Sequence, residues 1–452
     1  MTTLPSPSSA AATDPAQAPD APAPLHAITV EVPRTLEGLL AEAVPDTALA
    51  FVRGGEGLVG HGTAAVAYAR GPERIATLRS WFARVTAAAT VQDEVGRPGT
   101  GLAAFATFAF SHASDIPSRL VIPEIVLGAD PHGAWLTWVT QEPAPTRQGA
   151  MARLRALTED AGAESLPDAA VPAPAPTLRE GRVTSAAYVD AVAAGIARIK
   201  GGEAEKIVLG RDALVQLHRP VPVGSLLPTL AERFPTCWVY SLDGLFGATP
   251  EMLVQVRSGA VHARVLAGTL DREGVDAAGA EAARAGLLAD HKQREEHGYA
   301  IDSLTRTLGP LVTSLQAPEE PFVLELPNVW HLASDVSAEL AVGPDGRRAG
   351  VLDLVQVVHP TAAVCGTPRA DAERIIRELE GADRGHFAGP VGWVDAAGNG
   401  EFGIALRGGA VQADGNSVRV WAGCGIVAES VPEEELAETR AKLRPMLTAL
   451  GV

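Results

Sequence analysis

The sequence predicts an α+β (mixed α/β) fold, with large antiparallel sheets flanked by helices. Lys206 to Leu217, Thr236 to Leu242, Leu245 to Val256 and Ala260 to Leu270 are apolar, alternating and rich in β-branched residues, as strands are. The last three are separated only by short joints of the Gly or Asp-Gly kind, which favour antiparallel neighbours. The pattern is one of large, mainly antiparallel sheets rather than the βαβ series of a parallel sheet.

The elements follow in order. Residues 1–26 are mostly Ala, Pro, Ser, Thr and Asp, with neither a basic start nor an apolar run, so they read as a disordered tail and not as a secretory signal or transit peptide. Residues 27–452 read as a single domain in two portions. The N-terminal portion, 27–176, has short apolar runs at Ala48 to Val52 and Gly101 to Phe110 and an amphipathic helix around Glu73 to Thr90. It ends in a connector, Ala163 to Thr177, whose Pro172-Ala173-Pro174-Ala175-Pro176 run cannot form a regular element. The second portion, 177–452, opens with a helix from Ser185 to Gly201 carrying Tyr188, Val192, Ile196 and Ile199 on one face. After the four strands comes a helical block, Ala277 to Leu308, stopped before Pro310. A strand pair, Gly389 to Asp395 and Gly400 to Gln412, turns through Gly398-Asn399-Gly400. The strand Ser417 to Trp421 runs into a glycine turn, Gly423-Cys424-Gly425, and a helix from Glu433 to Leu450 closes the chain.

A net charge of −17 argues against a nucleic-acid or anionic-membrane surface, both of which need a basic footprint. Any anionic ligand must then be held by local positive groups. No apolar stretch is long enough to span a membrane, and a cytoplasmic protein is expected. Cys237, Cys365 and Cys424 are widely spaced and form no CxxC, which excludes a disulfide framework or a cysteine zinc site and leaves them as small buried hydrophobes.

The closing helix puts two carboxylates and an ammonium on one face, because Glu435 and Glu438 are three apart and Lys442 follows Glu438 by four. The glycine turn before it lets backbone N–H groups approach an anion. Metal-binding acid beside anion-binding backbone suits a carboxylate substrate; on its own, such a helix is a solvated, salt-bridged surface. Lys206 has apolar neighbours on both faces of its strand. Burial there lowers a lysine pKa and makes a base near neutral pH, whereas an edge position makes an ordinary strand lysine. Glu251 sits between a turn and an apolar strand, where a neutral acid can be held or a hydrated one can simply begin the strand. The small residues Ala267-Gly268-Thr269 permit close ligand approach or form a plain turn. The segment Lys292-Gln293-Arg294-Glu295-Glu296-His297 lacks the HExxH of a zinc protease, and hard carboxylates such as Glu296 and Glu438 suit Mg²⁺.

The order of these segments is more specific than any one of them. Lys206, Ala248-Thr249-Pro250-Glu251, Ala267-Gly268-Thr269, the Lys292 to His297 helix, Trp330-His331-Leu332, His359 to Pro368, Asp383 to Trp393, Ile404-Ala405-Leu406-Arg407, Gly423 to Val427 and the closing helix together resemble the chorismate-utilising enzymes, which share the anthranilate synthase component I-like fold. Within that group they resemble the isochorismate synthases of menaquinone or siderophore biosynthesis. The resemblance is dense from Val183 to Leu447 and looser before Pro176.

The resemblance implies a chorismate-utilising enzyme fold, chorismate as the substrate, Mg²⁺ as the cofactor and a monomer. It makes Lys206 the base and Glu251 the acid of a reaction that adds water at ring C2 and expels the C4 hydroxyl. Glu296 and Glu438 would bind Mg²⁺, with Glu435 as a further ligand or an acid behind them. Gly423, Cys424 and Gly425 would offer backbone donors to the substrate, and Arg407 and Lys442 would meet the enolpyruvyl side, a task for which arginine's fork is suited. His331 would orient substrate, and Ala267, Gly268, Thr269, Ala363, Val364 and Phe387 would line its site. Two departures stand out: Phe387 replaces the tyrosine of many relatives, and Gln293 replaces an acid three residues before Glu296. The former removes a hydroxyl contact to the enolpyruvyl carboxylate. The latter lowers the negative charge near the metal unless Glu295 compensates.

The nearest rival is a salicylate synthase, which goes on to eliminate pyruvate. Anthranilate or aminodeoxychorismate synthase is a further one, opposed by Leu270 after Ala267-Gly268-Thr269, where the amine-using enzymes have arginine and proline. A silent binding scaffold of the same fold would have lost Lys206, Glu251 or the metal acids, and none is lost.

Overall fold

The computed structural model describes residues 23–33, 49–142, 144–163, 174–220, 223–272, 275–327, 329–343 and 346–452. Most of the expected tail and of the proline-rich connector lies outside these residues.

Two sheets dominate. The first runs, from one edge, through Thr177–Glu180, Lys206–Gln216, Ser417–Ile426, Gly408–Val411, Leu245–Thr249 and Trp238–Leu242, and continues into N-terminal strands from Leu49–Arg53 to His26–Val32 and Thr90–Asp93. The second joins Val312–Gln316, Val329–Leu340, Ala260–Asp271, Met252–Arg257, Gly400–Ile404 and Pro390–Asp395 to Ala103–Thr107, Ser118–Ile122 and Ala65–Ala69. Both portions of the chain thus share both sheets. Pairing is antiparallel except between His26–Val32 and Thr90–Asp93, as the short joints predict.

The sheets face each other through large side chains, Phe51, Trp135, Trp238 and Tyr240 from the first and Phe105, Met252 and Trp393 from the second. Helices Val223–Arg233 and Pro432–Ala449 cover the other face of the first sheet through Leu227, Leu230, Leu443 and Met446. Helices Arg74–Ala88, His291–Leu308 and Val351–Val358 pack against strands of the second.

Four elements differ from the sequence-based expectation. The segment Leu245 to Val256 is two strands, Leu245–Thr249 and Met252–Arg257, in different sheets. Pro250 has no N–H to give to a ladder, so the chain leaves one sheet there and enters the other after Glu251. Gly400 to Gln412 is broken likewise into Gly400–Ile404 and Gly408–Val411, with Arg407 at φ 50 in the left-handed region. The two crossings are bonded together, Ile404 N–H to the Glu251 carbonyl at 3.1 Å and Ala248 N–H to the Arg407 carbonyl at 3.3 Å. The block Ala277 to Leu308 is two helices, Ala277–Ala289 and His291–Leu308. Asp290 ends the first and caps the second, its side chain accepting from Gln293 N–H. Lastly, Ser417 to Trp421 does not turn at its glycines but continues as a strand to Ile426.

Candidate active site

The two crossings place Glu251 and Arg407 at the seam between the sheets, and the other candidate residues converge there. Lys206 begins its strand opposite Thr367 and is fully buried. Its Nζ lies 3.2 Å from Glu296 Oε1 and 3.4 Å from the Glu296 carbonyl. Glu251 is buried as well, and burial pushes its carboxyl up to about 8, with the charges of Lys206, Lys442 and Arg407 acting in the opposite direction. At neutral pH it is a protonated acid facing basic groups.

On the opposite wall, His331 accepts at Nε2 from Arg407 Nη2 at 2.7 Å. A guanidinium can only donate, so Nε2 carries no proton, and the ring must hold its proton on Nδ1, 3.2 Å from the Gly268 carbonyl and 3.1 Å from Thr269 Oγ1. Burial, then the cations Arg407 and Lys442, hold this imidazole well below its ordinary pKa. It is a neutral tether between Arg407 and the Ala267–Thr269 segment. Arg407 Nη1 is buried with no hydrogen-bond partner, which leaves one end of its fork for an anion.

Gln293 belongs to the same support. Its Oε1 accepts the Thr269 N–H at 2.9 Å, so an amide fixes the Ala267–Thr269 segment where an acid was anticipated. The Glu295 carboxylate accepts the Tyr299 hydroxyl at 3.1 Å.

Each of the three acids is paired with a lysine: Glu296 with Lys206, Glu438 with Lys442 at 2.5 Å and Glu435 with Lys292 at 2.8 Å. Burial and the neighbouring Glu438 charge raise the Glu435 carboxyl, with Lys292 opposing them. The thiol of Cys424 and the carboxylates of Glu435 and Glu438 lie within 4.8 Å of one another.

The glycine strand needs a correction. Val208 gives its N–H to the Cys365 carbonyl and Gly210 gives its own to Glu380, so their partners across the ladder, Gly425 and Gly423, form wide pairs whose N–H and C=O groups turn away from the Lys206 strand. The neighbouring strand Gly408–Val411 reaches only Val420, so this edge is open. Lys442 Nζ binds the Gly423 carbonyl there at 3.1 Å. Gly423 and Gly425 therefore offer backbone donors, whereas the Cys424 N–H faces Leu209 within the ladder and is not one. The strand explains the glycine too: a Cβ on Gly425 would come within 2.0 Å of Glu296 Oε1.

A cleft lies between these walls. Glu251, Ala267, Gly268, Thr269, Glu296, His331, Ala363, Val364, Phe387, Arg407, Gly423, Gly425 and Lys442 line it; Lys206, Cys424, Glu435 and Glu438 are not among the lining residues. Trp421 and Arg384 are among the further residues that line it. Trp421 stacks on Phe387 with centroids 5.9 Å apart and planes at 7°, so Phe387 serves as half of an aromatic wall. Arg384 is held by Glu380 and donates to the carbonyls of Val364 and Val208, tying the loop before Cys365 to the Lys206 strand. In the sequence it stands in the Asp383 to Trp393 segment, four residues after Glu380.

A family model described as chorismate binding enzyme matches residues 46–451. The chain belongs to the chorismate binding enzyme family. It is 37% identical over 276 residues to isochorismate synthase DhbC of Bacillus subtilis, a stretch covering 59% of this chain and 68% of that one. With isochorismate synthase MenF of the same organism the identity is 32% over 268 residues, covering 58% of this chain and 55% of the relative. In fold it superposes on the menaquinone-specific isochorismate synthase MenF of Escherichia coli with a TM-score of 0.74, at 22% identity, covering 96% of this chain and 97% of the other. For a chorismate binding enzyme the donor set suits a hard divalent cation: Glu435 and Glu438 converge on one helix, and Glu296 on the other helix stands outside that group but near enough that Lys292 feels the charge of all three. Among the described residues no helix is long and apolar enough to cross a membrane.

Proposed function

We propose that this protein is an isochorismate synthase that uses Mg²⁺ to convert chorismate to isochorismate. The observation that carries the reading is Glu251, a buried acid held protonated at neutral pH in the same cleft as an unpartnered arginine nitrogen and an open glycine edge. The names of the similar curated proteins point the same way.

Glu296 and Glu438 would hold the ion, which when bound neutralises and orients the ring carboxylate. The remaining chemistry belongs to the chain. Gly423 and Gly425 N–H groups take carboxylate oxygens along the open edge, and Arg407 receives the enolpyruvyl carboxylate at Nη1. Lys206 accepts a proton from the water that bonds to C2. The two conjugated double bonds of the ring each shift by one position toward C4, the C4–O bond breaks, and Glu251 gives its proton to the departing hydroxyl, which leaves as water. Trp421 and Phe387 close one wall against bulk solvent. Incubation with chorismate and Mg²⁺ followed by chromatography tests this, with isochorismate expected in equilibrium with chorismate. Stoichiometric pyruvate with salicylate would move the protein to the lyase branch.

Two further outcomes are expected. Because the acid form of Glu251 is the active one and its pKa is raised to about 8, kcat/KM is retained below that pH and falls above it. The limb should vanish in Glu251→Gln, whose residual activity has no acid to lose; a wild-type profile flat well beyond pH 8 would contradict the assignment. Arg407→Ala removes a charge-assisted bond of roughly 1.5–3 kcal/mol and should raise KM about tenfold to a hundredfold. An unchanged KM in steady-state kinetics would remove Arg407 from the binding site.

A further inference from the structure

The three lysine–carboxylate pairs of the site are not equivalent. Glu438 and Lys442 lie four apart on one helix, and Lys206 with Glu296 joins a strand to a helix. Lys292–Glu435 alone among these three joins the two acid-bearing helices, His291–Leu308 and Pro432–Ala449, to each other. Those helices share little backbone contact: His291–Leu308 rests mainly on Ala260–Asp271, and Pro432–Ala449 on Ser417–Ile426 and the helix Ser185–Lys200. The pair also stands one turn before the other acids on matching faces, since Lys292 precedes Glu296 by four residues and Glu435 precedes Glu438 by three.

Lys292 is an unfavourable choice for its place on the helix. It occupies the first turn, where the exposed N–H groups disfavour a cation, while Glu435 sits in the first turn of its own helix, where an anion is favoured. The lysine is therefore held by its partner across the gap. Glu435 in turn is almost wholly buried and takes hydrogen bonds from both Lys292 and Ser430.

We propose that the Lys292–Glu435 ion pair is a strut that sets the separation of Glu296 and Glu438, so that Lys292 is a positioning residue for the metal and Glu435 is its partner rather than a third ligand. This rests on the assignment of Mg²⁺ to Glu296 and Glu438. The test is Mg²⁺ binding to the full-length protein by titration calorimetry in a double-mutant cycle. Lys292→Ala and Glu435→Ala should each weaken binding by about tenfold or more, the range for residues that orient metal ligands. The double variant should be no worse than the weaker single, and the exchange Lys292→Glu with Glu435→Lys should recover affinity. The shape-matched pair Lys292→Met with Glu435→Gln, checked by thermal unfolding, separates lost strut from lost fold. If it unfolds like the wild type, it should still bind Mg²⁺ more weakly; wild-type affinity would overturn the strut. Loss of affinity in Glu435→Ala with none in Lys292→Ala would make Glu435 a ligand and overturn it, as would failure of the folded exchange variant to recover. Wild-type protein that takes up no Mg²⁺ would instead remove the metal assignment, and the strut with it.

Discussion

Lys206→Ala should lower turnover by at least about two decades, and Glu251→Gln by a similar factor, the range in which general acid–base catalysis contributes. The two ends of the reaction need opposite protonation: an amine that takes a proton from water and a carboxyl that gives one to the leaving hydroxyl. Burial supplies the acid directly, since it raises Glu251 to about 8. Circular dichroism should report a folded protein in both variants. Their effects should be non-additive, because removing either group stalls the same step. Near-normal turnover in a folded, homogeneous Lys206→Ala protein would rule out its role as base.

The second large effect concerns the cation. Exhaustive chelation should abolish turnover, and added Mg²⁺ should restore it. Glu438→Ala should need far more Mg²⁺ or stay inactive, because Lys442, its partner at 2.5 Å, would then press an uncompensated charge on the site. Equilibrium Mg²⁺ binding should weaken in parallel with activity. Full turnover in protein stripped of divalent ions would sink the assignment.

Much of this site was legible in the sequence, and the parts that were not share a physical cause. Strand alternation and the spacing of the closing-helix acids are local patterns, and the structure keeps both. Alternation cannot report a change of sheet, however, because the apolar pattern continues across Pro250-Glu251 and across Ala405–Arg407 while the chain moves to new partners. Long-range pairing was equally hidden: Lys292 meets Glu435 across 143 residues, and Arg384 reaches Val208 across 176. At Gly423 and Gly425 the local rule misled, since glycines that look like a turn serve in a strand. There, Gly425 is needed because Glu296 and Lys206 press against it. The consequence falls on Cys424, whose backbone was expected to meet the substrate and instead belongs to the ladder.

The central claim is that the hydroxyl of the product at C2 comes from solvent while the C4 hydroxyl is lost. It is tested most directly by running the reaction briefly in water enriched in oxygen-18 and locating the label by mass spectrometry and carbon NMR. The account predicts isochorismate with one solvent oxygen at C2 from the earliest turnovers. Isochorismate that forms without solvent label, its hydroxyl carried over from C4, would contradict it.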